Sequence, residues 1–267
     1  MKRASYLILL MLVMLLSCTN NSDKSLNGKN IVNIHFDNSI QGFNVDIVWM
    51  PNEIHYGFIT GPAILYFNNL LDSSSFTIVN NNFGLKKDRL NIVYNKDSTK
   101  IIKIVSKTIS LTYSTPIINT NGSFGSKSEP FFFYDINFDE KLELIVPEFY
   151  CGQRGVTSFK AYQLDGRGHY KTELYQITNK DPYRHLDEYS SIDEQNKQII
   201  IYGSGGSCFS TKDFYQVLPS TSKYDVPKFI HVASIEYNRD DILNKCFELK
   251  FEIVEKSKIL ISKTEVK

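Results

Sequence analysis

Residues 131–146 read FFFYDINFDEKLELIV, and this stretch decides the fold. Its two ends, 131–134 and 142–146, are aromatic and β-branched runs of the kind that form strands. The segment between them is rich in Asp, Asn and Glu, which favour turns over regular structure. We therefore predict two strands joined by a short acidic loop.

The same pattern continues on both sides of this stretch, where apolar runs are separated by Asn, Asp, Ser, Gly and Pro. Further strands are predicted at 43–50, 63–67, 76–79, 90–94, 101–105, 109–113, 159–164, 172–177, 198–202, 214–218, 229–237, 247–254 and 259–262. Many short strands predict an all-β protein, either an irregular propeller-like domain or a sandwich. Only 238–245 has a helical pattern, with an Asn N-cap and acids in the first turn.

The chain contains a weak internal repeat. An apolar strand, a loop with Gly and Cys and an aromatic strand occur at 144–164 and again at 199–218. Two similar units would suit successive blades of a propeller. We therefore predict an N-terminal β region at 30–115 and a propeller-like β region at 125–267, which carries the acidic loop.

The acidic loop has the spacing of a calcium site. A chain that curls around Ca²⁺ presents alternate side chains inward, and this hard cation takes six to eight oxygen ligands. The expected ligands are Asp135, Asn137, Asp139, the carbonyl oxygen of Lys141 and the carboxylate of Glu143.

One position of the loop departs from the usual calcium pattern. Its sixth residue is normally Gly because the turn needs a left-handed backbone, and here it is Glu140. That conformation costs a residue with a Cβ about 1–2 kcal/mol. The alternative interpretation is a hairpin turn in which Asp and Asn side chains cap backbone N–H groups.

The N-terminus has the layout of a secretory signal: Met1-Lys2-Arg3, an apolar run at 6–16 and a small residue before Cys18. The apolar run is shorter than the about 20 residues that span a membrane. Leu15-Leu-Ser-Cys18 resembles the bacterial lipobox, whose cysteine receives a diacylglyceryl group. We predict a lipoprotein signal at 1–17, acylation of Cys18, and a flexible polar tether at 18–29. Thr19, in place of Asp, is typical of sorting to the outer membrane, facing the periplasm.

The net charge and the cysteines further limit the class of protein. Loss of Lys2 and Arg3 takes the formal charge from +1 to about −1, so nucleic acid is not an expected partner. Cys151, Cys208 and Cys246 follow Cys18, and two of the three can pair in an oxidising periplasm. We favour Cys151 with Cys208, since each follows an apolar strand in a Gly-containing loop. Zinc is the alternative, but no Cys-x-x-Cys is present.

The sequence does not contain the pattern of an enzyme. The five histidines are scattered, and 203–207 is neither a Gly-x-Ser-x-Gly elbow nor a phosphate-binding loop. We therefore expect a protein without catalytic activity. A calcium-dependent envelope hydrolase remains an alternative, because acidic pairs could serve in glycoside cleavage.

The run Tyr134-Asp-Ile-Asn-Phe-Asp139 with Glu143-Leu144 resembles the FG-GAP/VCBS-type calcium loop. A wider stretch, about 125–220, is similar to envelope lipoproteins related to a xanthomonad immunity protein. In that family a β domain with a calcium loop blocks a lysozyme-like toxin.

The resemblance implies a membrane-anchored, periplasm-facing binding lipoprotein, an immunity protein or inhibitor of a secreted cell-wall-degrading protein. Tyr and Arg are favoured anchors in interfaces. The candidate contacts lie beside the loops: Glu148, Tyr150, Gln153 and Arg154. The alternative is a structural or accessory envelope lipoprotein.

Overall fold

A computed structural model describes residues 30–55, 57–90, 92–94, 101–114, 129–151, 156–165, 172–177, 181–206, 208–218 and 228–266. The predicted signal, Cys18 and the tether lie outside these ranges. The described chain is built from β-strands, as predicted, with short 3₁₀ turns at Lys87–Arg89 and Tyr183–His185. No helix among the described residues has the length and apolar character needed to cross a membrane.

The first sheet has six strands and comes mainly from the N-terminal part of the chain. Its strands are β1 (Val32–Phe36), β2 (Phe43–Trp49), β3 (Glu53–His55), β4 (Phe58–Asn69), β5 (Ser75–Lys86) and β8 (Thr108–Leu111). A separate two-stranded ribbon consists of β6 (Ile92–Tyr94) and β7 (Ile101–Ile104). In β1, alternate side chains are buried and exposed, as expected of a strand that covers a core with one face.

The second sheet contains the residues that flank the acidic loop. Its strands are β9 (Phe132–Tyr134), β10 (Glu143–Cys151), β11 (Val156–Asp165) and β12 (Glu173–Gln176), all antiparallel in the order β12-β11-β10-β9. The acidic loop is the connection between β9 and β10, with Glu143 opposite Tyr134.

The third sheet is a six-stranded antiparallel meander. Its strands are β13 (Ser191–Asp193), β14 (Gln198–Gly206), β15 (Phe209–Val217), β16 (Phe229–Asp240), β17 (Lys245–Val254) and β18 (Ser257–Val266). The two copies of the internal repeat are the antiparallel strand pairs β10–β11, in the four-stranded second sheet, and β14–β15, in the six-stranded third sheet.

The second sheet lies between the other two. Alternate side chains along its strands pack into two different hydrophobic cores. Leu144 and Val146 point into a core shared with the first sheet, while Ile145 points into a core shared with the third. Phe133 and Phe132 divide in the same way. A strand buried on both faces must be apolar at every position, which explains the uninterrupted runs at 131–133 and 144–146. The sheets are stacked as in a sandwich, and the first core crosses the predicted boundary at 115–125.

The predicted helix at 238–245 is wrong. These residues end β16, make a turn and begin β17. Asp240 caps this turn by accepting hydrogen bonds from the backbone N–H groups of Ile242 and Leu243, each 3.1 Å long. A side chain that caps a helix can equally cap a tight turn, so the acidic signal was ambiguous.

The predicted Cys151–Cys208 disulfide is also wrong. Cys208 is bonded to Cys246, with 5.6 Å between their Cα atoms. Cys151 ends β10 in the second sheet, whereas Cys208 precedes β15 in the third. Similar loops at the ends of consecutive units thus carry their cysteines on different sheets, and Cys246 is reached through the intervening strand β16.

Candidate functional site

The acidic loop is a compact turn held by its own carboxylates. Asp135 accepts hydrogen bonds from the backbone N–H groups of Asp139, at 3.1 Å, and Glu140, at 2.9 Å. Asp139 in turn accepts one from the N–H of Lys141, at 3.0 Å. The capped hairpin turn that was the alternative prediction is therefore present.

Glu143 lies under this turn and is completely buried. Its carboxylate accepts hydrogen bonds from the N–H of Ile136, at 3.1 Å, and from the Asn137 amide, at 2.8 Å. Burial, reinforced by repulsion from the Asp139 carboxylate, raises the pKa of Glu143 to about 9. A buried carboxyl with acidic neighbours is an environment that a cation would stabilise.

Tyr183 is part of the same environment, although sequence reasoning did not identify it. Its side chain is buried, and its hydroxyl has no hydrogen-bond partner among the described residues. Burial raises the pKa of Tyr183 well above its ordinary value, and the charges of Glu143, Asp139 and Asp135 raise it further. A buried hydroxyl without a hydrogen-bond partner, in the field of three acids, is a polar group that a bound ion or water could satisfy.

The donor set suits a hard cation, since every predicted ligand atom is an oxygen. The Asp139 N–H also donates to the Asn137 side-chain oxygen, at 3.0 Å, so Asp135, Asn137, Asp139 and Glu143 form one hydrogen-bonded group. In the ranges that the structure covers, however, no three His, Cys, Asp or Glu side chains form a group that could hold a metal ion. Calcium therefore stays a prediction, as does a role for the Lys141 carbonyl.

The backbone of the loop has the strain that its sequence predicts. Glu140 has φ +65°, in the left-handed region, and Phe138 has φ +61°. Phe138 is retained there by its ring, whose centroid lies 6.4 Å from that of Phe229. The absent glycine at the sixth position is thus a real cost, because the turn adopts the backbone that glycine would favour.

Of the four predicted partner contacts, only Glu148 has its side chain in the described part of the structure, so this contact surface stays a prediction. Glu148 forms an ion pair with Lys160 on β11. Tyr150 lies in β10, but its side chain is outside the described part, and so are Gln153 and Arg154.

A different apolar surface appears at one end of the third sheet. Ile242 and Leu243, at the β16–β17 turn, are 96% and 55% exposed, and Phe209 at the start of β15 is 46% exposed. The Cys208–Cys246 disulfide links the two segments that carry them. We call this surface, formed by Phe209, Ile242 and Leu243, the sheet tip. Sequence reasoning missed it because Ile242 and Leu243 fell in the predicted helix.

Ser234, Asp213 and His231 form a polar cluster of the residue types found in serine-nucleophile catalytic sites. Ser234 donates a hydrogen bond to Asp213, at 2.6 Å, and His231 Nε2 lies 3.1 Å from the same carboxylate oxygen without hydrogen-bond geometry. The hydroxyl and the imidazole thus share an acid instead of bonding to each other. A nucleophile needs a base at its own oxygen, so this geometry does not activate Ser234.

Comparisons with known proteins give one likeness of fold. No protein-family model matches the chain, and no curated protein matches it. A solved structure, described as that of a Xanthomonas type IV secretion system related protein, aligns with a TM-score of 0.54 and 12% identity. The alignment covers 90% of this chain and 97% of the other. At that identity the likeness extends to the fold alone.

Proposed function

We propose that this protein is a lipid-anchored binding protein of the bacterial cell envelope that inhibits a secreted cell-wall-degrading protein. The lipobox-like signal supports an anchor at Cys18, on the outer membrane facing the periplasm. The fold likeness to a secretion-system related protein supports an envelope location, because secretion acts across the envelope. A binding role needs exposed anchors, and the apolar side chains of the sheet tip support this part of the proposal.

The observation that carries the binding role is the exposure of apolar side chains beside a disulfide at the sheet tip. An aliphatic side chain exposed at 96% gains nothing for folding, so its apolar area is available to a partner. The disulfide closes a segment of 38 residues and restricts the two turns in advance of binding. Pre-ordered contacts lose less entropy on association than mobile ones.

The test is capture of a partner from envelope extracts by the full chain, followed by assay of its peptidoglycan-hydrolysing activity. We expect a stoichiometric partner whose activity falls when it is bound. Ile242→Asp with Leu243→Asp should abolish capture without changing the melting temperature. Leu71→Asp is the matched control, because Leu71 is 92% exposed at the β4–β5 turn of the first sheet.

Other outcomes would redirect the assignment. Capture of structural envelope components only, without a hydrolase, would favour the accessory role. Hydrolysis of peptidoglycan by the chain itself would favour the calcium-dependent hydrolase. Capture that is equally reduced by Leu71→Asp would remove the sheet tip from the binding surface.

We also propose that the acidic loop binds calcium through Asp135, Asn137, Asp139, the Lys141 carbonyl and Glu143. Bound calcium would add positive charge beside the Asp135 and Asp139 carboxylates and favour the ionised form of the buried Glu143 carboxyl. We expect calcium to raise the melting temperature and chelation to lower it, and Asp135→Ala to abolish this response.

The control for the calcium test is Asp187→Ala. Asp187 also caps a turn, accepting 2.9 Å hydrogen bonds from the N–H groups of Tyr189 and Ser190. Both variants should lose stability, but only Asp187→Ala should keep the calcium response. If calcium does not change the melting temperature of the wild-type chain, the calcium proposal is wrong.

A further inference from the structure

The two edges of the third sheet differ in a way that bears on assembly. At one edge, β13 is short, and its residues Ser191 and Ile192 are buried. At the other edge, β18 has ten residues and, among the described part of the chain, no strand on its outer side. Exposed edges invite pairing with other chains, and proteins usually shorten or cover them. The first edge follows that rule and the second does not.

The side chains of β18 are also apolar for an exposed strand. Its exposed aliphatic residues are Ile259, Leu260, Ile261 and Val266, with 41–61% of each accessible. Backbone hydrogen-bonding groups and apolar side chains are therefore available on the same strand. An added antiparallel strand would use both.

A bulge in β18 determines which of its charges share a face. Phe247, Leu249, Phe251 and Ile253 of β17, two residues apart, lie opposite Glu265, Lys263, Leu260 and Lys258. Three residue steps separate Lys263 from Leu260, because the register shifts there. The shift places Lys258 and Glu265 on one face although their numbers differ by seven, which regular alternation would forbid.

We propose that β18 is the contact strand of a homodimer, paired antiparallel with β18 of a second copy about a two-fold axis between residues 261 and 262. This register sets Lys258 opposite Glu265 of the second copy at both ends of the contact. It sets Leu260 opposite Lys263, whose aliphatic stem can cover it. A register shifted by two residues would oppose Lys258 to Lys263 and is disfavoured by repulsion.

The charges already present on each chain extend the complementarity. Lys258 is paired with Glu236 on β16, and Glu265 with Lys245 on β17 at 2.8 Å. Across the proposed contact these pairs join into a row of alternating signs: Glu236, Lys258, then Glu265 and Lys245 of the second copy. Because the contact is a single strand pair, we expect reversible association and not a permanent dimer.

Zero-length carbodiimide cross-linking provides a decisive test. Lys258 and Glu265 are seven residues apart on one extended strand, about 23 Å, so they cannot be joined within a chain. We expect a Lys258–Glu265 linked peptide from the full chain in non-ionic detergent, and only in the dimer band. Links between Lys258 and Glu236 and between Lys245 and Glu265 form within one chain and serve as internal controls. Control links without the Lys258–Glu265 link would overturn the register.

Charge reversal tests the same contact by sedimentation velocity. Lys258→Glu and Glu265→Lys should each weaken dimerisation at least tenfold. Each should also lower the melting temperature slightly, because the reversed charge faces Glu236 or Lys245 of its own chain. The double swap should restore dimerisation. Lys103→Glu is the control, because Lys103 is exposed on β7, outside the third sheet, and its reversal should have little effect on dimerisation. A wild-type chain that stays monomeric up to about 200 µM, or a dimer that withstands both reversals, would overturn the proposal.

Discussion

The first and third sheets each have six strands, yet they use their apolar residues differently. In β1 and β2 of the first sheet, alternate positions are almost completely buried beneath the second sheet. In the third sheet, β14 buries Ile199 and Ile201, whereas nine of the ten residues of β18 are exposed. The first sheet therefore stabilises the fold. The outer strands of the third sheet present their side chains to solvent.

The difference arises from what lies over each sheet and not from strand length. β4, β5 and β16 have twelve residues each, but β4 buries seven of them and β5 five, whereas β16 buries only Ser234. Burial of a large apolar side chain contributes about 1.5–3 kcal/mol, so substitutions in the two sheets should have unequal effects.

The largest difference is expected from removal of an aromatic ring. Phe131 is completely buried, and its centroid lies 5.2 Å from that of Phe67 and 5.4 Å from that of Phe36. Phe131→Ala should lower the free energy of unfolding by about 3–5 kcal/mol. Phe247→Ala, on half-exposed β17, should lower it by about 1 kcal/mol or less. Denaturant titrations would measure both, and equal losses would contradict the comparison.

The next difference concerns two glycines. A Cβ at Gly84 on β5 would lie 2.8 Å from the ring of Phe149, which is buried on β10 and has no room to move. Gly84→Ala should therefore cost about 1–3 kcal/mol. At Gly203 on β14 a Cβ would meet the Thr211 hydroxyl at 2.5 Å, and that hydroxyl can rotate away. Gly203→Ala should change stability by about 0.5 kcal/mol or less in the same titration. A larger cost at Gly203 would mean that the third sheet is as rigid as the first.

Much of this fold could be predicted from residue patterns. Every predicted strand overlaps an observed one, because runs such as 144–146 and 199–201 are aliphatic over their whole length. β1 was missed although apolar and polar residues alternate regularly in Val-Asn-Ile-His-Phe. Its polar residues break up the continuous apolar run by which the other strands were predicted. Which strands share a sheet was not predictable, because β1 pairs in parallel with β8, more than 70 residues away.

The site was predictable in part. Regular spacing identified the acidic loop and the left-handed position of Glu140. Tyr183 was not predictable, because it reaches Glu143 through tertiary packing from a distant segment. The Cys208–Cys246 pairing was missed for a similar reason. Its two cysteines become neighbours only when β15, β16 and β17 pair in register.

The loss of stability at acid pH should also differ between the first and third sheets. Asp72, at the β4–β5 turn, accepts hydrogen bonds from Ser74 and from Thr172, which precedes β12 in the second sheet. These bonds lower the pKa of Asp72 from 3.8 to about 2. Since the folded pKa lies below the unfolded one, the stabilisation is complete above pH about 4 and disappears as the pH falls towards 2. Melting temperatures across this range should therefore drop more steeply for the wild type than for Asp72→Asn.

The control for the acid response is Asp193→Asn. Asp193 also has a lowered pKa, but its partner Asn196 lies in the same turn of the third sheet. Because no second sheet depends on it, the loss in melting temperature should be smaller than at Asp72. An equal loss would show that the link between the first two sheets adds nothing.

The smallest expected effect is a gain at the acidic loop. Glu140 has φ +65° and an exposed side chain, so Glu140→Gly relieves backbone strain without removing a buried contact. The free energy of unfolding should rise by about 1 kcal/mol, with part of the relief offset by the greater freedom of glycine in the unfolded chain. Phe138→Gly relieves the same kind of strain but removes the ring beside Phe229, so its net effect should be a loss. If Glu140→Gly were destabilising in denaturant titrations with and without calcium, Glu140 would contribute a contact worth more than its strain.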